Sequence, residues 1–216
     1  MALAKDVAEV DAWASVALAA VREGAVVDLA AVYEAVLHID CCIAGTTAHL
    51  GTEIIVQVSS HKTGEAANLL DEGWSDLIRY CGPVGTAFKA DMDKGTEAAG
   101  QTVLGVTDPN AVGHLDHVKK LVFIVDATAA NCEIAYLVSS EGDTTDTITV
   151  LDGTAYEHLN TADIYAPDGE NVSLVSNRVI PLPFATNRVR VLYNNNYGAT
   201  GSTVYTRCRI SKVTGV

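Results

Sequence analysis

One short segment carries residue types that bind transition metals. His114 and His117 flank Asp116, and imidazoles together with a carboxylate are common zinc ligands. The spacing differs from H-E-X-X-H, which places two histidines on one face of a helix. The segment is therefore predicted to be a polar, solvated turn, and we expect the protein to bind no metal and no cofactor. If a metal were bound, His114, Asp116 and His117 would be the candidate ligands.

Five cysteines offer a second kind of chemistry, as metal ligands or as disulfides. They stand at positions 41, 42, 81, 132 and 208. The number is odd, no Cys-X-X-Cys spacing occurs, and adjacent residues on a strand face opposite sides of a sheet. A chain of 216 residues also buries enough apolar surface to fold without cross-links. The cysteines are therefore predicted to be free thiols that pack as small apolar side chains.

Acidic residues cluster at two predicted turns but show no catalytic pattern. Glu141, Asp143, Asp146 and Asp152 lack the order of a calcium-binding loop, and nothing in the sequence places two carboxylates in one cleft, as glycoside hydrolysis requires. The sequence also has no G-X-S-X-G nucleophile motif, no phosphate-binding loop and no dinucleotide fingerprint. We therefore predict that the protein is not an enzyme.

The charge composition restricts the classes of partner. The chain has 27 Asp and Glu against 14 Lys and Arg, which gives a net charge of -13. This charge repels phosphate backbones and anionic lipid surfaces, so we expect neither nucleic-acid nor membrane binding. The first residues lack a basic stretch followed by an apolar core, so we predict no signal peptide and expect synthesis in a cytoplasm.

Short runs of alternating apolar and polar residues, separated by turn residues, predict an all-β protein. The clearest runs are 53–60, 188–193 and 202–211, and the last two each carry arginines on one face and apolar residues on the other. This pattern is typical of antiparallel sheets with one solvated face. We expect 188–193 and 202–211 to pair as a hairpin, whereas residues 13–37 are compatible with either strand or helix.

The lengths of the predicted strands divide the chain into parts. Longer strands occur before residue 100 and after residue 170, and four short strands with tight turns lie between them. We predict a jelly-roll-like antiparallel β-sandwich formed by residues 13–100 and 167–216, with residues 101–166 inserted as a small β-barrel domain. Residues 1–12 are predicted to be an N-terminal arm or short helix outside the main fold.

Several segments resemble the β-rich virion structural proteins of tailed bacteriophages. The residues that carry the resemblance are Val27–Asp40, Gly51–Val58, Asn187–Asn194 and Gly201–Val213. The likeness extends over most of the chain but contains no diagnostic motif. It implies a protein of the virion, made in the host cytoplasm: a capsid decoration (cement) protein, or else a neck or tail component.

The resemblance also implies partners. A decoration protein binds the major capsid protein or neighbouring virion proteins, and commonly forms a closed cyclic homo-oligomer such as a trimer. Residues of the types AVILMFWYC make up 49% of the chain, which is compatible with apolar surface buried between chains. We predict that the N-terminal arm contributes to assembly by burying Leu3, Val7 and Val10 on a neighbouring subunit.

Two other functions remain open at this stage. A β-sandwich with an inserted domain is also compatible with a carbohydrate-binding module, although only 6% of the residues are aromatic. A surface or filament subunit that assembles by strand addition is the other alternative, and the missing export signal counts against it.

Overall fold

The structure is a computed structural model and describes residues 3–46, 49, 51–61, 73–85, 87–92, 95–107, 121–141, 146–167, 173–195 and 202–215. These residues form antiparallel strands and one turn of 3-10 helix, Ala129–Asn131, so the predicted all-β class is confirmed. The strands are β1 Leu3–Val16, β2 Val21–Glu23, β3 Val27–Asp28, β4 Val32–Gly45, β5 Glu53–Ser59, β6 Ser75–Cys81, β7 Ala87–Asp91, β8 Val103–Gly105, β9 Leu121–Val125, β10 Glu133–Glu141, β11 Thr147–Val150, β12 Asp163–Pro167, β13 Val175–Pro181, β14 Arg188–Asn194 and β15 Ser202–Gly215.

Two of the three sheets pack face to face as a jelly roll. Sheet A has the strand order β1-β15-β4-β13, and sheet B has the order β2-β14-β5-β6, with the short β3 also paired to β14. Renumbered 1 to 8 along the chain, these strands read 1-8-3-6 in sheet A and 2-7-4-5 in sheet B. Strands 1 and 8, 2 and 7, 3 and 6, and 4 and 5 are therefore neighbours, as in one long antiparallel ribbon rolled into a sandwich. The predicted jelly-roll-like sandwich is confirmed.

The sandwich core follows the predicted alternation, but the predicted hairpin is wrong. Val189 and Val191 of β14 and Ile210 of β15 are buried between the sheets. However, β14 pairs with β2, β3 and β5, whereas β15 pairs with β1 and β4. The chain thus crosses from sheet B to sheet A between β14 and β15. An alternating pattern shows which face of a strand is buried, but it does not select the neighbouring strand.

The third sheet forms a small barrel between β6 and β13. Its six strands have the order β7-β12-β9-β10-β11-β8. A bridge pairs Met92 with Val106, and the Thr107 amide donates to the Asp91 carbonyl at 2.9 Å, so the ends of the two edge strands are joined. Apolar side chains fill the interior: Ala90, Met92, Leu104, Val106, Val122, Ile124, Leu137, Ile148, Val150, Ala162, Ile164 and Ala166. The predicted inserted barrel is therefore present.

The barrel sheet begins earlier than the predicted residue 101. Strand β7 lies within residues 13–100, which the sequence assigns to the sandwich, but it pairs with β12 of the barrel. Its charged residues obscure the strand pattern because they form ion pairs on the outer face of the sheet. Lys89 lies 2.7 Å from an Asp91 oxygen and 3.1 Å from an Asp163 oxygen.

The N-terminal segment is part of sheet A, which corrects the prediction of an arm or short helix outside the main fold over residues 1–12. Strand β1 pairs with β15 from Leu3 opposite Gly215 to Val16 opposite Val204, with two register shifts after Glu9. Strand β1 is at the edge of the described sheet A, and an edge strand tolerates charged residues. These charges hide the alternation in the sequence.

Candidate functional site

The barrel is joined to sheet A through a small aromatic cluster. Phe123 of β9 contacts Trp13 of β1 and Tyr205 of β15, with ring centroids 5.0 and 5.5 Å apart. Phe123 points away from the barrel interior because its neighbours Val122 and Ile124 point into it. Cys132 belongs to the same cluster. The segment between β9 and β10 therefore lies where the two parts of the molecule meet.

Beside this junction, a fully buried histidine lies between two carboxylates. His158 Nδ1 is 3.0 Å from Asp126 Oδ2, and His158 Nε2 is 2.6 Å from Glu133 Oε1. Asp126 follows β9, Glu133 begins β10, and His158 is held by backbone hydrogen bonds to Glu97. We refer to His158, Asp126 and Glu133 as the His158 clamp.

The other carboxylate oxygens of the His158 clamp bind backbone amides. Asp126 Oδ1 accepts from the Thr128 amide at 2.7 Å, and Glu133 Oε2 accepts from the Ala155 amide at 2.8 Å. One imidazole thus connects the loop after β9, the start of β10 and the segment that precedes β12.

The surroundings of the His158 ring favour its protonated form. Burial alone would lower the pKa of His158, but the hydrogen bonds and negative charges of Glu133 and Asp126 outweigh burial and raise the pKa above its ordinary value. Each ring nitrogen donates to a carboxylate, so neither is available as a general base. The His158 clamp therefore serves to hold segments together rather than to catalyse a reaction.

A second buried histidine, His49, is held in the neutral form. The Gly51 amide donates to His49 Nδ1 at 2.9 Å, so His49 Nε2 carries the proton and donates to Asn195 Oδ1 at 3.0 Å. Burial lowers the pKa of His49 below its ordinary value, and the hydrogen bond to Asn195 offsets only part of this effect. Asn195 also donates to the Val16 carbonyl at 3.0 Å, so this network joins sheets A and B at their ends.

A third charged group lies on the outer face of sheet A. Asp40 is buried, and its Oδ2 accepts hydrogen bonds from Arg207 at 2.8 Å and Arg209 at 3.3 Å. Asn177 donates to the other oxygen, and the Arg207 guanidinium lies 4.7 Å from the Trp13 ring centroid. This network braces β4, β13 and β15 next to the barrel junction, so it is structural.

The predicted metal candidates His114, Asp116 and His117 lie outside the residues that the structure describes. Within the described residues, no group of three His, Cys, Asp or Glu side chains is arranged to hold a metal ion. In the His158 clamp, the two carboxylates bind opposite nitrogens of one ring and do not converge on a point.

The residues predicted for assembly lie on β1 in two different environments. Leu3 and Val7 are exposed. Val10 is half-buried and packs against the sandwich core of its own chain. Leu3 and Val7 are therefore the two of the three that remain accessible to a neighbour.

All five cysteines are free thiols, and four of them are buried as the sequence predicts, whereas Cys81 is exposed and departs from the predicted apolar packing. Burial raises the pKa of Cys41 and Cys208 to about 12 and that of Cys132 to about 11, and it also raises the pKa of Cys42. A raised pKa keeps a thiol protonated, so the buried cysteines are not activated nucleophiles.

No local sequence motif contains His158, Asp126 and Glu133 together. Asp126 follows one short strand and Glu133 begins the next. Neighbouring antiparallel strands place the end of one beside the start of the next, so this position is the signal that could have predicted their proximity. His158 lies in an irregular segment, and its position depends on the pairing of residues 97 and 158.

Comparisons with known proteins give weak likenesses. No protein-family model matches the chain, and no curated protein matches it. Among solved structures, a chain of infectious bursal disease virus Gx strain is similar with a TM-score of 0.22 and 12% identity, over 98% of this chain and 80% of that one. VP17, a capsid protein of bacteriophage P23-77, is similar with a TM-score of 0.20 and 10% identity, over 100% of both chains. Scores this low do not define a shared fold.

The described part of the chain contains no apolar helix of membrane-spanning length.

Proposed function

We propose that this chain is a structural protein of the virion of a tailed bacteriophage. We also propose that it has no enzymatic activity. The observation that carries the proposal is the strand order of sheets A and B, which is that of a rolled antiparallel ribbon. Eight-stranded jelly rolls of this kind are the domains of viral capsid proteins, and they also occur in lectins and cupins. The packing of the sandwich interior and the contacts on its outer face favour the viral capsid class over lectins and cupins.

The interior of the sandwich is packed with side chains. Leu37 of sheet A and Ile54 of sheet B belong to one core, and both are fully buried together with Tyr193. Lectins and cupins bind small molecules, and such a site needs a concave pocket with converging polar groups. A packed apolar core instead provides a rigid block, which suits a protein that works by assembly.

The outer face of sheet B also argues against carbohydrate binding. Its aromatic side chain, Trp74, is contacted by the guanidinium groups of Arg188 and Arg190, at 5.2 and 4.4 Å from the ring centroid. Arg188 donates to the His61 carbonyl at 2.9 Å, and Arg190 donates to Gln57 at 2.8 Å. These contacts hold both arginines over the ring, so Trp74 does not present a free platform for a sugar.

Within the virion we propose the role of capsid decoration (cement) protein, which binds the major capsid protein. The resemblance to phage virion proteins supports this role. A second candidate is a subunit of the shell itself, because the jelly roll is a capsid-domain fold.

The test measures the protein in particles. Virions of a phage that encodes the chain should contain it in many copies, by quantitative mass spectrometry. Changing Leu3 and Val7 together to serine should lower its occupancy on particles without lowering its melting temperature, since both side chains are exposed, at 67% and 60%. The matched control changes Val103 and Leu151 of the barrel, exposed at 52% and 60%, to serine.

The outcomes separate the two roles. A protein that binds preformed particles but forms no shell on its own is a decoration protein. Closed shells formed by the purified protein alone would assign the shell role instead. Absence of the chain from purified particles would overturn the proposed function.

A further inference from the structure

Two connections meet at one end of sheet A, and we call the surface that they form the apolar end. It consists of residues 29–31 between β3 and β4 with the first two residues of β4, residues 182–187 between β13 and β14, and Gly215. The Leu29 amide donates to the Asn187 carbonyl at 2.7 Å, and the Leu182 amide donates to the Ala35 carbonyl at 2.9 Å. These hydrogen bonds fix the two connections against each other. The apolar end is therefore a built surface rather than two independent loops.

An aromatic ring stands beside a groove on this surface. Phe184 is 83% exposed, the highest fraction among the exposed large apolar side chains of the described residues. The groove next to it has a volume of about 540 Å³ and is lined by Ala30, Ala31, Tyr33, Thr186 and Gly215, among others. None of the described residues that line this groove is charged. A volume of this size lies within the range of about 300–1,000 Å³ for ligand pockets, so the groove has room for an aromatic ring.

We propose that the apolar end binds a second copy of this chain, with Phe184 of each copy inserted into the groove of the other. The ring and the groove are adjacent on one surface, so a two-fold axis between them allows both insertions at once. Such an isologous contact closes after two subunits. The inference deepens the proposed function, because it names another copy of the chain as a partner of the particle protein.

The charge of the protein favours this surface for self-association. Each copy carries a net charge of -13, so two copies repel each other over most of their surfaces. An uncharged groove allows close approach without placing like charges opposite one another. The side chains of Ala30, Ala31 and Phe184 give the lining an apolar part that can contact an aromatic ring, beside the polar groups of Thr186 and Asn187.

The predicted assembly residue Leu3 lies next to the same surface. Leu3 pairs with Gly215, which lines the groove, and Leu3 is itself exposed. The start of β1 therefore extends the apolar end and enlarges the surface that a second copy can cover. This continuity gives Leu3 a role in assembly although β1 is a paired strand and not a free arm.

The experiment is sedimentation velocity of the full chain over a range of protein concentrations, at low and at high salt. The wild type should be a dimer at high concentration, and salt should strengthen the dimer by screening the repulsion. Phe184→Ser should weaken dimerisation by about tenfold or more, as expected for an aromatic residue at the centre of an interface. Leu151→Ser, on the barrel, is the matched control and should leave dimerisation unchanged.

A second variant, Ala31→Glu, places a negative charge at the groove on an exposed turn and should also give a monomer. The melting temperature of each variant should match that of the wild type, which separates loss of the interface from loss of the fold. A wild type that stays monomeric, a Phe184→Ser variant that dimerises normally, or a dimer that dissociates in salt would overturn the inference. So would a monomer that binds a glycan through Phe184.

These results are distinguishable from a failure of the proposed function. A dimer that occurs in no virus particle would overturn the virion role and leave the interface standing. A chain that is abundant in particles but monomeric in solution would overturn the proposed interface and leave the virion role standing.

Discussion

Replacing His158 by glutamine removes the imidazole that the two carboxylates of the His158 clamp share. Glutamine is uncharged and cannot donate in two opposite directions, so Asp126 and Glu133 would lose a shared partner while both remain largely buried. We expect the variant to fold with a much less stable barrel. We also expect the segment between β9 and β10 to loosen where it contacts Trp13.

The expected loss of stability can be worked out from the contacts. His158 makes two hydrogen bonds to charged groups, at 3.0 and 2.6 Å, and each bond of this kind contributes about 1.5–3 kcal/mol. Removing one partner of a buried ion pair costs about 3–5 kcal/mol. The two hydrogen bonds together give about 3–6 kcal/mol and the ion-pair figure gives about 3–5 kcal/mol, so we expect a loss of about 3–5 kcal/mol. In a chain of this size, that lowers the melting temperature by roughly 6–20 °C.

The matched control is His38→Gln. His38 lies on sheet A, is half-buried, and makes a single side-chain hydrogen bond, to Ser211 at 3.1 Å. Loss of one neutral hydrogen bond costs about 0.5–1.5 kcal/mol. Calorimetry measures both variants, and tryptophan fluorescence reports the environment of Trp13 at the junction. If His158→Gln were no more destabilising than His38→Gln, the clamp would not hold the barrel together.

The pH dependence gives an independent check. The folded-state pKa of His158 is raised above its ordinary value of about 6.5, so the native state holds the proton more tightly than the unfolded state. The stabilisation is therefore fully present below about pH 6.5 and is lost as the pH rises through the folded-state pKa. The difference in unfolding free energy between the wild type and His158→Gln should begin to shrink above about pH 6.5 and continue to shrink as the pH rises through the folded-state pKa of His158. A difference that stays constant would refute the argument.

The remaining predictions concern the other titratable groups. Because burial lowers the pKa of His49, its stabilisation is present above about pH 6.5 and is lost as the pH falls; urea unfolding should show less acid destabilisation for His49→Gln than for the wild type, and equal acid sensitivity would contradict this. A chromogenic disulfide reagent should modify Cys81 alone in the native protein and all five cysteines after unfolding, because the other four are buried; rapid modification of a second native thiol would contradict this. Elemental analysis should find no stoichiometric metal; one zinc per chain that is lost in His117→Ala would show that the segment around His117 is a metal site.

The sequence predicts most strands of the sandwich because apolar and polar residues alternate in them without interruption by charged residues on the buried face. Val189, Val191 and Tyr193 are buried on one face of β14, and the residues between them are not. The sequence does not predict strands β1 and β7 because charged residues interrupt their alternation. In β1 these residues lie on an edge strand, and in β7 they form ion pairs on the outer face of the sheet. An ion pair such as that of Lys89 with Asp163 joins residues distant in sequence, so no local pattern announces it.

The candidate site was less predictable than the fold. The most conspicuous cluster in the sequence, His114 with His117, contains residues adjacent in the chain, whereas the His158 clamp joins residues 126, 133 and 158. Local spacing identifies sites in which one helix or loop supplies the ligands. A clamp assembled from three segments of a barrel depends on strand pairing, and that pairing is a property of the whole sheet.

The position of the barrel in the sequence explains how one chain can contain both parts. The barrel leaves the sandwich after β6, at one edge of sheet B, and returns into β13, at one edge of sheet A. Neither strand needs a partner on its outer side, so an insertion at this point interrupts no hydrogen bonds within the jelly roll. The barrel and the sandwich accordingly have separate cores, and the cluster around Trp13 and Phe123 joins them. Changes to the His158 clamp should therefore act first on the barrel and reach the jelly roll through the cluster around Trp13 and Phe123.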